Sequence, residues 1–264
     1  MVDRFPKQTP KGRGAVSNLA NRFGHEHRFR VDDGWLQLED NFSTKLETEL
    51  KPDASKTVIS YNASPDLPFD RSINPYKGCE HGCIYCFARP THSYLGLSPG
   101  LDFETKIFFK NNAATLLEQE LRRPNYECKP IAIGVNTDAY QPAEKELRVT
   151  RSILEVLSAY NHPVSIITKS ARILRDLDVL GPMGQKGLVH VMLSVTTLDP
   201  TLARLMEPRA SQPANRLATM KVLNDAGVPS GVLASPIIPA INDNELEAIL
   251  EASAQSGASQ AGYI

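Results

Sequence analysis

Residues 74–92 read "NPYKGCEHGCIYCFARPTH" and hold Cys79, Cys83 and Cys86, three of only four cysteines in a chain of 264 residues. Their spacing is C-x3-C-x2-C. Pairing them as disulfides leaves one over. The preceding "RSINPY" reads as a short strand, so the thiols lie on a loop that leaves a strand end.

Outward from this loop the texture repeats. A helix is predicted over "NAATLLEQELRR", with Leu116, Leu117 and Leu121 on one face. "IAIGVNT" (131–137) is continuous enough for a strand buried on both sides. "EKELRVTRSILEVLSAY" predicts a helix, "PVSIITK" a strand, "ARILRDLDVL" a helix and "LVHVMLSVTT" a strand. "DPTLARLM" opens with Asp199 as N-cap and Pro200 at the first helical position. "ANRLATMKVLNDAG" and "DNELEAILEASAQSG" predict helices closed by Gly227 and Gly257, and "VPSGVLASPII" and "AGYI" predict strands. Strands alternating with helices of this length imply right-handed βαβ units and a parallel sheet, either doubly wound or a barrel. No glycine-rich phosphate fingerprint follows the first strand, which speaks against a dinucleotide fold. Residues 1–68 show little periodicity apart from a possible strand at "KTVISYN". They are expected to form an irregular, basic N-terminal extension ahead of a core over 69–264. The last strand stops without a covering helix, so the chain is expected to be cut short.

Composition is that of an ordinary globular protein, 41% apolar and 22% charged. There is no run of 18 apolar residues and no apolar signal region, so the cytoplasm is the expected compartment and the thiols are expected to stay reduced. Net charge is −1, which argues against a globally basic nucleic-acid binder. Residues 1–30 nevertheless carry Arg4, Lys7, Lys11, Arg13, Arg22, Arg28 and Arg30 against Asp3 and Glu26. Such an arm is either a solvated leader or a phosphate contact. No oligomeric state follows from the sequence.

Clustered thiols in a reducing compartment point to metal. Three sulfurs on a tight loop can hold three irons of a 4Fe–4S cubane and leave the fourth open to a substrate or cofactor. The competing reading is a zinc staple completed by His81 or His92, in a nucleic-acid-binding module without catalysis; zinc sites more often use paired C-x2-C knuckles. Cys128, in "NYECKP", is expected to be a bystander thiol. In a parallel barrel, functional groups lie at the C-terminal strand ends. Those ends supply the cysteines, then Asn136, Thr137 and Asp138, then Lys169 and Ser170, then Ser194, Thr196 and Thr197, then Ser235.

"CEHGCIYC" matches the C-x3-C-x-aromatic-C motif of the radical S-adenosylmethionine (radical SAM) enzymes, with Tyr85 as the aromatic. "INPYKGCEHGCIYCFARPTHSYLGLSPGLDFETKIFFK", "NTDAYQPAEKELRVTRSILEVL", "LSVTTLDPTLARLMEPRA" and "GVPSGVLASPIIPAINDNELE" resemble the DNA-repair-photolyase-like members grouped with spore photoproduct lyase. The likeness runs from about residue 58 to the end, and "KGRGAVSNLANRF" resembles the leader of that subgroup. The subgroup's "NTDPYQPIE" reads "NTDAYQPAE" here, with Ala139 and Ala143 substituted and Gln141 kept.

The resemblance implies a partial (β/α)6 TIM-like barrel, a 4Fe–4S cluster on Cys79, Cys83 and Cys86, and S-adenosylmethionine cleaved reductively to a 5′-deoxyadenosyl radical. An electron donor such as flavodoxin or ferredoxin is implied as a partner. On this reading Asp138 suits the cofactor's ammonium and Lys169 its carboxylate. Ser194 or Thr196 suits the ribose or the amino-acid end, and Tyr85 and Phe87 flank the adenine. Thr137 and Glu207 complete the expected cofactor set, with Glu207 and Arg209 of "EPRA" resembling the family's charged site. DNA photolesions are one implied substrate; a peptide, a protein or a small molecule is the other.

Overall fold

The computed structural model describes residues 10–18, 20–23 and 46–263. Strands β1 (Glu49–Pro52), β2 (Ile59–Tyr61), β3 (Arg71–Ile73) and β4 (Tyr76–Lys77) come first. Helix α1 (Leu101–Thr105), β5 (Lys106–Phe109), α2 (Ala113–Leu121) and β6 (Ile131–Ile133) follow. Then come α3 (Glu144–Leu147), α4 (Val149–Ala159), β7 (Val164–Thr168), α5 (Leu177–Gln185) and β8 (Val189–Ser194). Helices α6 (Pro200–Met206) and α7 (Pro213–Asp225), β9 (Ser230–Ala234), α8 (Leu246–Gln255) and β10 (Gln260–Tyr263) complete the described chain.

Strand order separates the two sheets that the sequence allows. The large sheet runs β10-β9-β8-β7-β6-β3-β2. From β3 to β10 every neighbour is parallel and is the next βα unit in the chain. A doubly wound sheet reverses its order at a switch point, and this one does not. Six sequential parallel strands make the partial barrel that was expected. Along β7 and β8 burial alternates: Val164, Ile166, Val191 and Leu193 are buried, and the residues between them less so. The buried parity joins Leu157, Leu180 and Leu223 of the helices in one core. Each such side chain contributes about 1.5–3 kcal/mol when fully buried. The parallel direction brings all six C-terminal strand ends to one edge.

The strand expected within "KTVISYN" is β2, which pairs antiparallel with β3 at the sheet edge, Ile59 opposite Ile73. Two expectations need correction. β1 belongs to a small sheet, β1-β5-β4, that periodicity missed because its strands are two to four residues long. In it β4 pairs antiparallel with β5, so the cysteine loop is an excursion closed at its base. The helix expected over "EKELRVTRSILEVLSAY" breaks at Arg148, whose φ is 51°. Glu144 explains the break. Its carboxylate accepts from the N–H groups of Thr150 (3.0 Å) and Arg151 (3.3 Å), capping α4 from outside the helix. Among the described residues no helix is long and apolar enough to cross a membrane.

Gly134, just past β6, has a φ of 82°, and a Cβ there would lie 2.4 Å from the carbonyl oxygen of Ile167. Gly134→Ala is expected to destabilise the fold by about 1–3 kcal/mol. Urea unfolding of the metal-free chain measures it.

Candidate active site

The three thiols leave the C-terminal end of β3 by way of β4. Cys79 and Cys83 are buried and Cys86 is half-buried, and none is in a disulfide. The loop is held by its backbone. The Cys79 N–H donates to Phe103 O (2.9 Å), Ile84 N–H to Met206 O (3.0 Å) and Arg209 N–H to His81 O (3.2 Å). Arg89 donates from two nitrogens to Cys83 O, at 3.1 and 2.8 Å, and reaches Glu104 at 2.5 Å.

Residues 10–18 form a strap across this loop. Gly14 N–H and Ala15 N–H donate to the Glu104 carboxylate at 3.0 and 2.8 Å. A Cβ on Gly14 would come within 1.9 Å of Gly82 O, so only glycine permits the approach. Arg13 is buried and donates to Glu104 O, Leu46 O and Thr48 Oγ1. Its charge is used within the chain, which removes it from the expected phosphate-binding arm. Arg4, Lys7, Arg28 and Arg30 of that arm lie outside the described residues.

The sequence-predicted residues divide into three groups. Tyr85, Lys169, Thr196 and Glu207 meet at one carboxylate. Glu207 Oε1 accepts from the Tyr85 hydroxyl and from Thr196 Oγ1 (2.7 Å), and Lys169 Nζ lies 3.4 Å away. Lys169 also stands 5.7 Å from the centre of the Tyr85 ring. Ser194 joins through Arg216, which donates to Ser194 O (2.8 Å), to Ser211 O (2.7 Å) and to Glu207 Oε2. Asp138 and Thr137 lie on the same edge but are engaged by the chain itself. Asp138 accepts from Tyr140 N–H (2.8 Å), Thr168 Oγ1 (2.7 Å) and Lys169 N–H (2.7 Å), and faces His81 at 3.4 Å. Thr137 Oγ1 donates to Tyr76 O (2.7 Å). Phe87 is 76% exposed and makes none of these contacts.

Sequence reasoning missed Arg216, Arg89 and Glu104, since charged residues are ordinarily exposed. Thr197 is also engaged, donating to Glu245 Oε1 (2.6 Å). Cys128 is exposed and precedes β6, at the opposite end of that strand from the cluster of thiols. His92 is buried with Nε2 2.9 Å from Lys106 O and its ring edge-on to Phe103.

Burial raises the thiols. It pushes Cys83 up to about 12, with the Glu207 charge adding to it and Lys169 opposing. Burial, Asp138 and the two other thiols hold Cys79 well above the ordinary thiol range, and burial raises Cys86. A cationic inorganic core would bind them as thiolates and offset that desolvation. Three free thiols on one loop are the donor set that could ligate three irons of a 4Fe–4S cubane and leave the fourth open.

Burial alone would raise Glu207; Lys169, Arg216 and the Tyr85 hydrogen bond instead hold it far below the ordinary carboxylate range. Burial would raise Asp138 as well. His81 and the Lys169 and Thr168 hydrogen bonds overcome this and bring it from 3.8 down to about 2. A folded pKa below the unfolded one gives stability that is present above the unfolded pKa and lost as pH falls through the folded one. Asp138 is thus expected to contribute about 2 kcal/mol at neutral pH, fading between about pH 5 and pH 2. Acid titration of metal-free protein by circular dichroism, against Asp138→Asn, checks that this part of the pH dependence disappears.

The sequence profile of the radical SAM superfamily matches residues 73–252. An uncharacterized protein of Mycobacterium tuberculosis is 40% identical over 194 residues, 73% of this chain and 57% of the relative. An uncharacterized protein of Methanocaldococcus jannaschii is 28% identical over 173 residues, 66% of this chain and 62% of the relative. The chain thus spans less than two thirds of the length of these relatives. A spore photoproduct lyase mutant shares the fold at a TM-score of 0.60 and 18% identity, over 81% of this chain and 60% of the lyase. Another mutant of that lyase, with bound AdoMet and dinucleoside spore photoproduct, gives a TM-score of 0.60 at 15% identity over the same shares. The superfamily's cofactors are a 4Fe–4S cluster and S-adenosylmethionine. By its profile match over more than half its length, its six-stranded partial barrel and its three gathered thiols, the chain belongs to the radical SAM superfamily.

Proposed function

We propose that this chain is the catalytic core of a radical SAM enzyme whose cluster is held by Cys79, Cys83 and Cys86, and that its substrate is a photolesion in DNA. The observation that carries the first part is the placement of three free thiols beside one polar group, Glu207 with Tyr85, Thr196, Lys169 and Arg216, on the C-terminal edge of the sheet. The second part is supported by the fold shared with spore photoproduct lyase, whose structures include one with its dinucleoside lesion.

When bound, the cluster and S-adenosylmethionine supply a 5′-deoxyadenosyl radical that takes a hydrogen atom from the substrate. The chain's own groups hold and orient. Glu207 is one negative charge; Lys169 and Arg216 are two positive ones. One unit of positive charge is left, and it suits a carboxylate. Arg216 is fixed by three partners, so Lys169, whose Nζ has only a 3.4 Å contact with Glu207, is the cation with freedom to bind it. Tyr85 keeps its proton: burial, Cys83 and the Glu207 charge all raise its pKa. It therefore donates to Glu207, which fixes the ring that follows Cys83. Ser194 and Thr196 lie beside this group for the ribose or amino-acid end. The exposed Phe87 is available to cover the adenine, and Thr137 and Asp138 act by holding the loops in place. A low-potential cluster needs an electron donor of the flavodoxin or ferredoxin class, and reduced thiols suit the cytoplasm.

Anaerobic reconstitution with iron and sulfide is expected to give a brown protein that, with reductant and S-adenosylmethionine, releases 5′-deoxyadenosine; Cys83→Ala is expected to abolish the release. Tight zinc binding with no iron uptake would overturn the cofactor reading. For the substrate, binding to ultraviolet-damaged and intact duplex is compared across salt concentrations. Tighter binding to the damaged duplex is expected. Equal affinity for the two would favour a peptide, protein or small-molecule substrate.

A further inference from the structure

Gln141 is fully buried on the turn between β6 and α3, and its side-chain amide is used at both ends. Its Oε1 accepts from Glu80 N–H at 2.9 Å, and its Nε2 donates to Gly78 O at 3.1 Å. These two peptide groups flank Cys79, whose own N–H is bound to Phe103 O. The amide orientation is fixed by its partners: reversed, it would set NH2 against N–H and oxygen against oxygen. A primary amide can accept from one peptide group and donate to another at once, through two different atoms.

The platform beneath Gln141 is rigid. Gln141 O accepts from Glu144 N–H at 2.9 Å. The Glu144 carboxylate is fully buried and held by the Tyr76 hydroxyl, Thr150 N–H (3.0 Å) and Arg175 (2.8 Å). Nearby, Thr137 Oγ1 donates to Tyr76 O, so the loop after β6 grips the cysteine loop twice. Gly78 has a φ of 83°, and a Cβ there would lie 2.8 Å from both His92 and Phe103 O. The chain at Cys79 thus has one path, and Gln141 clasps it on both sides.

We propose that Gln141 is a positioning residue for the cluster: it fixes the two peptide groups around Cys79, so that this thiol is in place before iron binds. The proposal rests on the cofactor reading above and names a residue that acts through Cys79 without touching metal.

The test reconstitutes wild type, Gln141→Leu and Gln141→Glu side by side under anaerobic conditions. Iron per chain, the electron paramagnetic resonance signal of the reduced cluster, and iron release to a chelator are read for each. Melting of the metal-free proteins is followed as well. Gln141→Leu removes both hydrogen bonds and is expected to release iron about 10- to 100-fold faster, with a shifted resonance signal. Gln141→Glu keeps the acceptor for Glu80 N–H but sets an oxygen against Gly78 O, so it too is expected to release iron faster than wild type, with a shifted signal. Variants that hold iron like wild type with an unchanged signal overturn the proposal. So does faster release that merely follows a lower melting temperature and leaves the signal unchanged. If Gln141→Leu does not fold, Gln141→Glu decides alone by the same criteria. A wild-type chain that takes up no iron overturns the cofactor reading and this inference with it; a loaded wild type beside indistinguishable variants overturns only the inference.

Discussion

Glu207 is an ionised carboxylate with almost no access to water, and leaving such a charge unpaired costs several kcal/mol. Arg216, equally buried, makes it tolerable, and the arrangement at the sheet edge depends on that pair. Glu207 follows α6, Arg216 comes from α7, Tyr85 from the cysteine loop, Thr196 from the end of β8 and Lys169 from the end of β7. Four separate segments therefore meet Glu207 on two oxygens. Each brings a donor, and none brings a second acceptor. Removing Arg216 would leave a buried anion facing only a lysine and two hydroxyls, and the loop carrying Cys83 would lose its anchor through Tyr85.

The cysteine loop is a long excursion from a two-residue strand, and short strands hold little by themselves. Its definition comes from outside. Gln141 fixes the peptide groups at Cys79, Arg89 fixes the carbonyl of Cys83, and Arg209 fixes that of His81. The strap adds a third side, where Gly14 lies against Gly82 and the Glu104 carboxylate collects Gly14, Ala15 and Arg89. Every one of these contacts is to backbone or to a carboxylate, so no cysteine sulfur is spent on them. The sequence around the thiols can be rich in glycine, which alone has little stiffness, because stiffness is imported from neighbours distant in the chain.

The barrel was legible because its signal is local. Apolar runs, N-cap Asp199 with Pro200, and terminal Gly227 and Gly257 each act within a few residues, and each is found in the structure as read. The three thiols were legible because their spacing is a loop property. Arg216 was not: its guanidinium is fully buried only because Glu207, nine positions earlier, turns inward to meet it. Glu104 and Arg13, 91 residues apart, likewise became partners only once the chain had folded. Arg13 had the look of a solvated basic leader, and its burial follows from a carbonyl and a threonine that no local pattern reveals. Asp138 was legible as a strand-end carboxylate. Its hydrogen-bond partners were not, because two of the three come from β7 and the residue after it.

The two carboxylates on this edge do different work, and their surroundings say which. Asp138 faces the His81 ring at 3.4 Å and accepts three hydrogen bonds from its own and the next βα unit; it ties loops. Glu207 has two full cations, one fixed by three acceptors and one with only a 3.4 Å contact. Three bound thiolates nearby would add negative charge, and a surplus cation at Lys169 helps to balance it. An amino-acid end entering beside such a cluster presents its own carboxylate to the same place. On the function proposed above, Lys169 would exchange Glu207 for an incoming carboxylate, and the Arg216 pair would keep Glu207 from being left a buried charge alone.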